Sequence, residues 1–337
     1  MITSVNHSLL SHNTFRMDVK SDLYIEYDSV SQLLSILDAK MVRGKRIFHI
    51  GAGSNVLFTG DFHGVVLHSA IKYMETVEET DDYVDIKVGS GVVWDDFCRD
   101  MSQRGLWGVE NLSGIPGEVG ASAVQNIGAY GVEVSQSIRY VETIDMLTGN
   151  EHHFSNAHCS YGYRYSIFKN KYKDKHIVTS VIYRLFKHPM PRLEYAGLKE
   201  RFDGMDNVTP LMVREAVLDI RSKKLPDPSE IGSAGSFFKN PVVSKERCAA
   251  LLKQYYGMPH FKVKELNGFK LSAAWLIDQC GLKGMTVGDA AVYEKQPLVL
   301  VNTGHAKPED VIELASIVKK AVKDKFYVEL YPEVNYI

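Results

Sequence analysis

Hydrophobic and polar positions alternate along much of the chain in patterns typical of strands and helices. Residues 83–88 place Val84, Ile86 and Val88 on one face, which predicts a half-buried strand. Apolar side chains then recur at helical spacing over residues 93–101, which predicts an amphipathic helix. A β-branched run over residues 176–186 predicts another strand. The pattern therefore indicates a protein that mixes strands with helices.

Shorter segments extend this pattern. Strands are predicted over residues 46–50, 141–146, 298–301 and 326–330, and helices over residues 213–220, 247–255 and 271–280. A last helix is predicted to begin at Pro308, because proline and the acidic Glu309 and Asp310 are favourable in a first turn. Residues 189–204, which include Tyr195, are predicted to form an extended surface segment.

Length and charge narrow the class of protein. A chain of 337 residues exceeds one ordinary core, which favours two or three domains. Its 39 basic and 41 acidic residues give a net charge of −2, so no overall field attracts nucleic acid or an anionic membrane. Any anionic ligand must be held by local arginines, lysines and backbone donors.

Cysteine spacing and the hydropathy of the chain narrow the class further. The four cysteines are scattered with no C-x-x-C pair, which argues against a zinc site and a disulfide framework. No signal peptide and no apolar stretch long enough to cross a bilayer is recognised. We therefore expect a cytoplasmic protein without a metal, a nucleic-acid partner or a membrane partner.

Two glycine-rich segments are candidate ligand-binding loops. The first, GAGSN at residues 51–55, joins a predicted strand to the apolar residues 56–58, and the backbone N–H groups of such a turn form an anion-binding nest. It lacks the third glycine of a Rossmann fingerprint and the Gly-Lys-Ser/Thr of a P-loop. The second, residues 111–131, is rich in glycine and amides and poor in charge, as expected of a loop along a neutral ligand. The alternatives are a plain hairpin turn and a buried irregular connection.

Charged residues with aromatic and proline neighbours supply the candidate chemistry. Arg164 is flanked by three tyrosines, and its planar fork suits a carboxylate or phosphate, although a surface arginine with stacked rings would look the same. Residues 224–241, KLPDP followed by GSFFKNP after six residues, combine fixed prolines with a hydroxyl, a cation and an amide. The alternative there is a turn with a buried Phe pair. Glu333 follows a proline near the end of the chain and is either desolvated or exposed.

Taken in order, these motifs resemble the UDP-N-acetylenolpyruvoylglucosamine reductases, the MurB family. The resemblance rests on GAGSN, IPG at 115–117, QNIGAYG at 125–131, YR at 163–164, KLPDP, GSFFKNP and PEV at 332–334. It implies an α+β protein with an FAD-binding fold of the PCMH/vanillyl-alcohol-oxidase type in two lobes, plus a smaller α+β substrate-binding domain. We expect lobe 1 at residues 1–70, lobe 2 at 71–223 and the substrate domain at 224–324, with the tail 325–337 returning toward the active site.

The resemblance also implies a reaction. It is the NADPH-dependent, FAD-mediated reduction of UDP-N-acetylglucosamine enolpyruvate to UDP-N-acetylmuramate in peptidoglycan precursor synthesis. Flavin N5 would pass a hydride to the enolpyruvyl methylene carbon, and Ser236 would give a proton to the adjacent carbon. NADPH would enter the same pocket as the second substrate, which removes the need for a separate Rossmann fingerprint. We expect a monomer.

Site residues carried over from the family fall into three groups. The catalytic residues are Ser236, Arg164 and a protonated Glu333, the latter two stabilising the charge that develops beside the substrate carboxylate. Residues implied to bind FAD are Gly51, Ala52, Gly53, Ser54, Asn55, Ile115, Pro116, Gly117, Ser122, Gln125, Asn126, Gly128, Ala129 and Tyr130. Residues implied to bind substrate are Tyr163, Tyr195, Lys224, Asn240, Lys283 and Gln296. Tyr195 indicates the form of the family with a tyrosine-bearing loop that closes over the substrate.

Two rival functions remain at this point. An oxidase of the same fold would keep both glycine-rich loops but has no reason to keep Arg164, Ser236 and Glu333 together. A non-catalytic sugar-nucleotide sensor would keep Lys224 and Asn240 but could lose Ser236.

Overall fold

Two units make up the structure, and each gathers segments that are distant in sequence. The computed structural model describes residues 1–263 and 267–337. Unit 1 comprises residues 1–7, 21–52 and 62–222, and unit 2 comprises residues 8–20, 53–61 and 223–337. The finer division into domains at 1–70, 71–223 and 224–324 stays a prediction.

Helices and strands alternate irregularly along the described residues. The helices are α1 (Val30–Asp38), α2 (Trp94–Gln103), α3 (Val119–Gln125), α4 (Ala196–Phe202), α5 (Pro210–Lys224), α6 (Lys245–Gln254), α7 (Ala273–Gln279) and α8 (Pro308–Phe326). The strands are β1 (Ile2–Ser8), β2 (Lys20–Tyr27), β3 (Ile47–Ile50), β4 (Val56–Leu57), β5 (Phe62–Ser69), β6 (Met74–Glu79), β7 (Tyr83–Gly89), β8 (Gly128–Ala129), β9 (Val132–Glu133), β10 (Ile138–Asp145), β11 (Glu151–Ser155), β12 (His176–Phe186), β13 (Gly232–Ser236), β14 (Val242–Val243), β15 (His260–Val263), β16 (Gly268–Leu271), β17 (Thr286–Val287), β18 (Ala290–Val292), β19 (Val299–Asn302) and β20 (Asn335–Tyr336).

Unit 1 contains a partly parallel sheet and an antiparallel sheet. The first has the order β1-β2-β5-β3, and β5 is parallel to both β2 and β3. The second has the order β11-β10-β12-β7-β6 and is antiparallel throughout. Helices α2 and α3 cover one face of the second sheet, where the Phe97 and Tyr183 rings lie 4.8 Å apart. Because both sheets bury aliphatic side chains, the polar ends of their strands and the loops between them are left for ligands.

Unit 2 is built on small antiparallel sheets and the long helix α8. One sheet has the order β13-β19-β18-β17, and a second has the order β14-β16-β15. Helix α8 begins as predicted, with Pro308 in its first turn and Asp310 accepting a hydrogen bond from the Lys307 N–H at 2.8 Å. Near the end of the chain β20 pairs in parallel with β4, which ties residues 335–336 to residues 56–57.

Most predicted elements are confirmed, and three predictions are wrong. Residues 119–125, predicted as loop, form α3, because the close contact of Gly120 with Ser90 lets a short helix of small residues pack there. Residues 189–204 are not extended throughout, since α4 lies within them and buries Leu198 and Phe202. Phe326 ends α8 instead of beginning a strand, although it, Val328 and Leu330 are all buried as a strand face would be.

No helix among the described residues is long and apolar enough to cross a membrane. The four cysteines are all unpaired thiols, as their spacing predicted.

The turn at residues 51–55, called the glycine turn below, allows a close backbone contact of the fold to be tested by substitution. Gly53 has φ of +64°, and a Cβ there would lie 2.0 Å from the backbone oxygen of His12. We expect Gly53→Ala to destabilise the protein by on the order of 3 kcal/mol or more, through left-handed strain plus a backbone clash. Gly44→Ala is the matched control, because Gly44 also has positive φ but no atom within 4 Å of the added Cβ. It should cost only about 1 kcal/mol. Urea unfolding followed by circular dichroism measures both, and equal losses would contradict the close approach at Gly53.

Candidate active site

In unit 1, Gly51 of the first glycine-rich segment lies close to the second glycine-rich segment, residues 111–131. Gly51 directly follows β3, and a Cβ at this position would lie 3.1 Å from Oε2 of Glu118 and 3.5 Å from Cβ of Ala121. Glu118 precedes α3, and its own segment is hydrogen-bonded to the start of α2 through the Trp94 N–H and the Gly117 carbonyl. A side chain at Gly51 would therefore require the Glu118 carboxylate to shift slightly, so the turn and the start of α3 lie close together.

Several side chains of the second segment are occupied within the protein. The Ser122 hydroxyl donates to the Val119 carbonyl and shares a hydrogen bond of 2.9 Å with the Tyr183 hydroxyl. Oε1 of Gln125 accepts from Nζ of Lys169 at 2.6 Å. Ser122, Gln125 and also Asn126 are among the residues implied to bind FAD. Because their side chains support the scaffold, backbone groups are the natural contacts of this segment with a cofactor.

Asn126 is the structural centre of that segment. It closes α3 in the left-handed region, with φ of +45°. Its Nδ2 donates to Oε2 of Glu133 and to the Gly162 carbonyl, and its Oδ1 accepts from the Ser135 N–H. The side chain is fully buried. An asparagine is well suited here because it tolerates positive φ and satisfies three partners at once.

Arg164 is held against the same segment. It lies in a tight turn closed by hydrogen bonds between Gly162 and Tyr165, and its φ is +53°. Nη2 donates to the Gly128 carbonyl at 2.5 Å, and Nη1 donates to the Asn126 carbonyl at 3.4 Å. A Cβ on Gly128 would lie 2.7 Å from Nη1, so the glycine admits the guanidinium. The guanidinium thus fastens the loop while keeping a fixed position, and it has five N–H groups in all.

Tyr195, which lies in the segment of residues 189–204, contacts the second glycine-rich loop, residues 111–131. Tyr130, with φ of +49°, packs edge-to-face on Tyr195 with ring centroids 5.0 Å apart. Tyr195 precedes α4 and is 40% exposed, so its ring is held on one side only. The Arg221 side chain lies near Tyr130, and burial raises the pKa of Tyr130 and lowers that of Arg221. The sequence pattern did not single out Arg221. Arg221 nevertheless continues the apolar face of α5, because it follows Val217 by four residues and Val213 by eight.

A partly buried ion pair between Asp95 and Arg214 fixes the start of the second loop. Oδ1 of Asp95 accepts from the Gly114 N–H at 2.5 Å and from Nη1 of Arg214 at 2.6 Å, while Oδ2 accepts from Nη2 at 2.8 Å. Although burial opposes it, the bonds from Arg214 and Gly114 hold the pKa of Asp95 below its ordinary value. This bidentate pair joins α2, the second loop and α5. It could not be predicted from the sequence, because Asp95 and Arg214 are far apart in the chain.

Unit 2 presents Ser236 at the end of a strand. Ser236 is exposed and pairs with Val299 across β13 and β19. The next two residues, Phe237 and Phe238, are fully buried, with ring centroids 5.1 Å apart. Gly235, with φ of +68°, precedes the serine. The buried rings fix the backbone on one side of Ser236, so its hydroxyl stands at a defined place at the surface of the unit.

Backbone pairing brings Glu333 to the same strand. The Glu333 N–H donates to the Phe237 carbonyl at 2.8 Å, and the Lys239 N–H donates to the Tyr331 carbonyl at 2.9 Å. Nδ2 of Asn55 donates to the Glu333 carbonyl at 3.3 Å. Residues 53–55, the GSFFKNP motif and the C-terminal PEV are far apart in sequence and lie together in unit 2.

The predicted substrate-binding residues of unit 2 differ in how they are held. Lys224 is the last residue of α5 and is exposed. Oδ1 of Asn240 accepts from the Ala273 N–H at the start of α7 at 2.9 Å, which leaves its Nδ2 as the donor end. Nζ of Lys283 pairs with Oδ1 of Asp278 at 2.8 Å. Gln296 is half-buried, and its carbonyl accepts from the Val299 N–H in the turn between β18 and β19.

Comparison with known proteins agrees with this arrangement. Residues 227–337 match the UDP-N-acetylenolpyruvoylglucosamine reductase C-terminal domain family, and residues 21–155 match an FAD binding domain family. The chain is 48% identical over 331 residues to the UDP-N-acetylenolpyruvoylglucosamine reductase of Bacteroides fragilis (strain YCH46), covering 98% of this chain and 99% of that one. It is 44% identical over 333 residues to the enzyme of the same description from Escherichia coli (strain K12), covering 99% and 96% of the two chains.

A solved structure shares the fold. MurB from Thermus caldophilus matches with a TM-score of 0.67 and 23% identity, covering 99% of this chain and 98% of that one. Together with the matched FAD binding domain, this confirms the predicted α+β fold class.

The contacts of Arg164 lead to a prediction for Arg164→Lys. An ammonium group lacks the planar fork that reaches two carbonyls, so the loop over residues 126–135 should open more often. We expect its backbone amides to exchange hydrogen about tenfold faster, as follows from the loss of one charge-assisted bond. Arg139→Lys is the control, because Arg139 is largely exposed. Equal exchange in the Arg164 variant and the wild-type protein would contradict the bridging role.

Proposed function

The chain belongs to the UDP-N-acetylenolpyruvoylglucosamine reductase family, and from that membership we propose that it reduces UDP-N-acetylglucosamine enolpyruvate to UDP-N-acetylmuramate with electrons from NADPH. It is an FAD-dependent oxidoreductase. The observation that carries the finer proposal is the retention of every motif of the resemblance, in order, across nearly the whole chain.

The glycine turn and the second loop fit a flavin nucleotide. A Cβ at Gly120 would lie 2.8 Å from Cβ of Ser90, so this position favours glycine, and the backbone N–H groups of the glycine turn are suited to an anionic ligand. We assign FAD contacts to residues 51–55 and 115–117 and to Ser122, Gln125, Asn126, Gly128, Ala129 and Tyr130, mainly through their backbone. Bound FAD would supply the hydride for the enolpyruvyl methylene carbon.

Three residues would act on the reacting part of the substrate. Adding a hydride to the methylene carbon leaves negative charge on the adjacent carbon and its carboxylate, which the site must stabilise and then protonate. Arg164 would place a fixed cation on the carboxylate, since two of its N–H groups already anchor it to the loop. Glu333 would donate a hydrogen bond in its protonated form, and Ser236 would deliver the proton. A serine hydroxyl is a weak acid, so it depends on these neighbouring charges.

The remaining predicted residues would hold the sugar nucleotide. Lys224 and the Nδ2 group of Asn240 suit a diphosphate, because both are donors and Lys224 adds positive charge. Tyr163 and Tyr195 offer aromatic faces with polar ends, and Tyr195 would close over the substrate. Lys283 and Gln296 would make supporting contacts. Lys283 would exchange its bond to Asp278 for the ligand.

NADPH, a monomeric state and a cytoplasmic location complete the proposal. The resemblance implies all three. NADPH would use the substrate pocket before the sugar nucleotide enters.

The direct test combines the protein with FAD, NADPH and UDP-N-acetylglucosamine enolpyruvate without oxygen. We expect NADPH oxidation that depends on the sugar nucleotide, and a product heavier by two hydrogen atoms. Flavin reoxidation that needs oxygen and ignores the sugar nucleotide would instead identify the oxidase. Binding of the sugar nucleotide without turnover would identify the sensor.

The role of Ser236 predicts a split between the two half-reactions. Ser236→Ala should leave flavin reduction by NADPH unchanged and slow the reoxidation by substrate on the order of 10²–10⁴-fold, the usual contribution of a positioned acid. Stopped-flow absorbance of the flavin measures both steps. Ser222→Ala, which alters an exposed hydroxyl on α5, is the control. Normal reoxidation in the Ser236 variant would exclude it as proton donor.

The role of Tyr195 predicts a different split. In Tyr195→Phe the ring contact with Tyr130 remains and only the hydroxyl is lost. We expect the KM for the sugar nucleotide to rise about tenfold or more, as for loss of a hydrogen bond to a charged group, with flavin reduction unchanged. Steady-state and single-turnover kinetics separate the two. Equal damage to both half-reactions would refute the closing role.

A further inference from the structure

Two carboxylates in unit 1 share one imidazole. Nδ1 of His68 lies 2.9 Å from Oε2 of Glu26, and Nε2 of His68 lies 2.8 Å from Oε1 of Glu118. Glu26 and His68 are register partners in the parallel strands β2 and β5. The Glu118 and His68 side chains are only 10% and 14% exposed. The arrangement is therefore a largely buried triad of two acids and one base.

The geometry of the triad requires a charged imidazole. A neutral imidazole has one donor and one acceptor nitrogen, whereas each nitrogen of His68 faces a carboxylate oxygen, which only accepts. Both nitrogens must therefore carry a proton. Burial on its own would lower the pKa of His68, but the bonds and charges of Glu118 and Glu26 outweigh it and raise that pKa above its ordinary value. With His68 protonated the triad carries one net negative charge, and with His68 neutral it carries two.

The triad lies beside the glycine turn. The other oxygen of Glu118, Oε2, is the atom 3.1 Å from the Cβ position of Gly51. Ile50, the residue before Gly51, is in turn the β3 register partner of His68. In sheets with parallel strands, ligands bind beyond the carboxyl ends of the strands, and both His68 and Gly51 lie at those ends.

We propose that His68 is a positioning residue for the cofactor: its imidazolium holds Glu118 against the glycine turn and offsets the carboxylate charge, so that FAD binds tightly only when His68 is protonated. The inference rests on the proposed placement of FAD at this turn. FAD brings a doubly charged diphosphate, and an uncompensated Glu118 beside Gly51 would repel it. Loss of the proton would also remove one donor and release Glu118 or Glu26.

Other charged groups face the triad from neighbouring elements. Tyr24 on β2 donates to Oε2 of Glu26 at 3.3 Å, and His7 on β1 stacks on Tyr24 at 4.4 Å between ring centroids. Lys72, which follows β5, adds positive charge near Glu26. His49 on β3 stays neutral, because burial and the nearby His68 charge lower its pKa to about 3. His68 is thus the imidazole of this group that lies between two carboxylates.

FAD affinity as a function of pH tests the proposal without any turnover. Quenching of flavin fluorescence gives Kd for apoprotein from about pH 6 to about pH 9, a range that begins near the ordinary pKa of histidine and extends in the direction in which the pKa of His68 is raised. In the wild-type protein we expect Kd to rise about tenfold as pH increases, the size of an ordinary coupling between two sites. His68→Gln should bind about tenfold more weakly at low pH with a flat profile. Glu118→Gln should be flat and tight, because a neutral amide needs no counter-charge.

His63→Gln is the matched control. His63 lies on the same strand β5 and pairs with Asp22 at 3.3 Å, but its side chain is 85% exposed. It should keep the wild-type profile, since exposed pairs contribute little. A wild-type protein that binds FAD with a flat profile, or a His68→Gln protein that keeps the pH dependence, would overturn the inference and leave the proposed function standing. A wild-type protein that takes up no FAD at any pH would contradict the function itself.

A second measurement needs no variant. Linkage requires that a ligand which prefers protonated His68 raises the pKa of His68 when it binds. NMR titration of the imidazole in apoprotein and in FAD-bound protein should show this pKa about one unit higher in the bound form, which matches a tenfold coupling. An equal or lower pKa in the bound form would refute the role of His68.

Discussion

The backbone pairing of residues 237–239 with residues 331–333 is the interaction on which the placement of the candidate catalytic residues of unit 2 depends. It joins segments almost a hundred positions apart and sets Glu333 beside the strand that ends in Ser236. Phe237 and Phe238, both fully buried, hold that pairing in place through apolar burial. Asn55 adds a bond to the Glu333 carbonyl, so the glycine turn is fixed by the same segment. The positions of Ser236 and Glu333 therefore rest on the burial of Phe237 and Phe238.

In unit 1, polar side chains hold a loop in place in the way that the buried phenylalanines hold the paired segments of unit 2. Asn126, Arg164 and the Asp95–Arg214 pair use their hydrogen-bonding groups to fix the loop for which we propose contacts with FAD. Burying these groups is tolerable because each meets defined partners. The loop can then present its backbone to a ligand without being flexible. At Gly51 an added Cβ would lie 3.1 Å from Oε2 of Glu118, so the turn and the segment before α3 lie close together.

The sequence predicted the long elements and the motifs well, and it failed where tertiary contacts decide. The strand at residues 176–186 was found with its exact bounds, because β-branched residues fill it. The helix α3 was missed, since its small residues carry no amphipathic pattern and it exists by packing on Ser90. Ser236 and Glu333 were named through the resemblance, which also implied that the tail returns toward the active site, but the pairing of residues 237–239 with 331–333 was not visible in the sequence. The Glu26–His68–Glu118 triad was missed for the same reason, because strand register creates it.

A double-mutant cycle tests whether Ser236 and Glu333 act on the same reacting centre. The rate of flavin reoxidation by UDP-N-acetylglucosamine enolpyruvate would be measured for Ser236→Ala, for Glu333→Gln and for the double variant. If the pairing of residues 237–239 with 331–333 places both side chains on one reacting centre, the effects should be strongly non-additive, and the double variant should be little slower than the slower single variant. A rate that falls by the product of the two single effects would show that the residues act independently. This result would contradict a shared reacting centre.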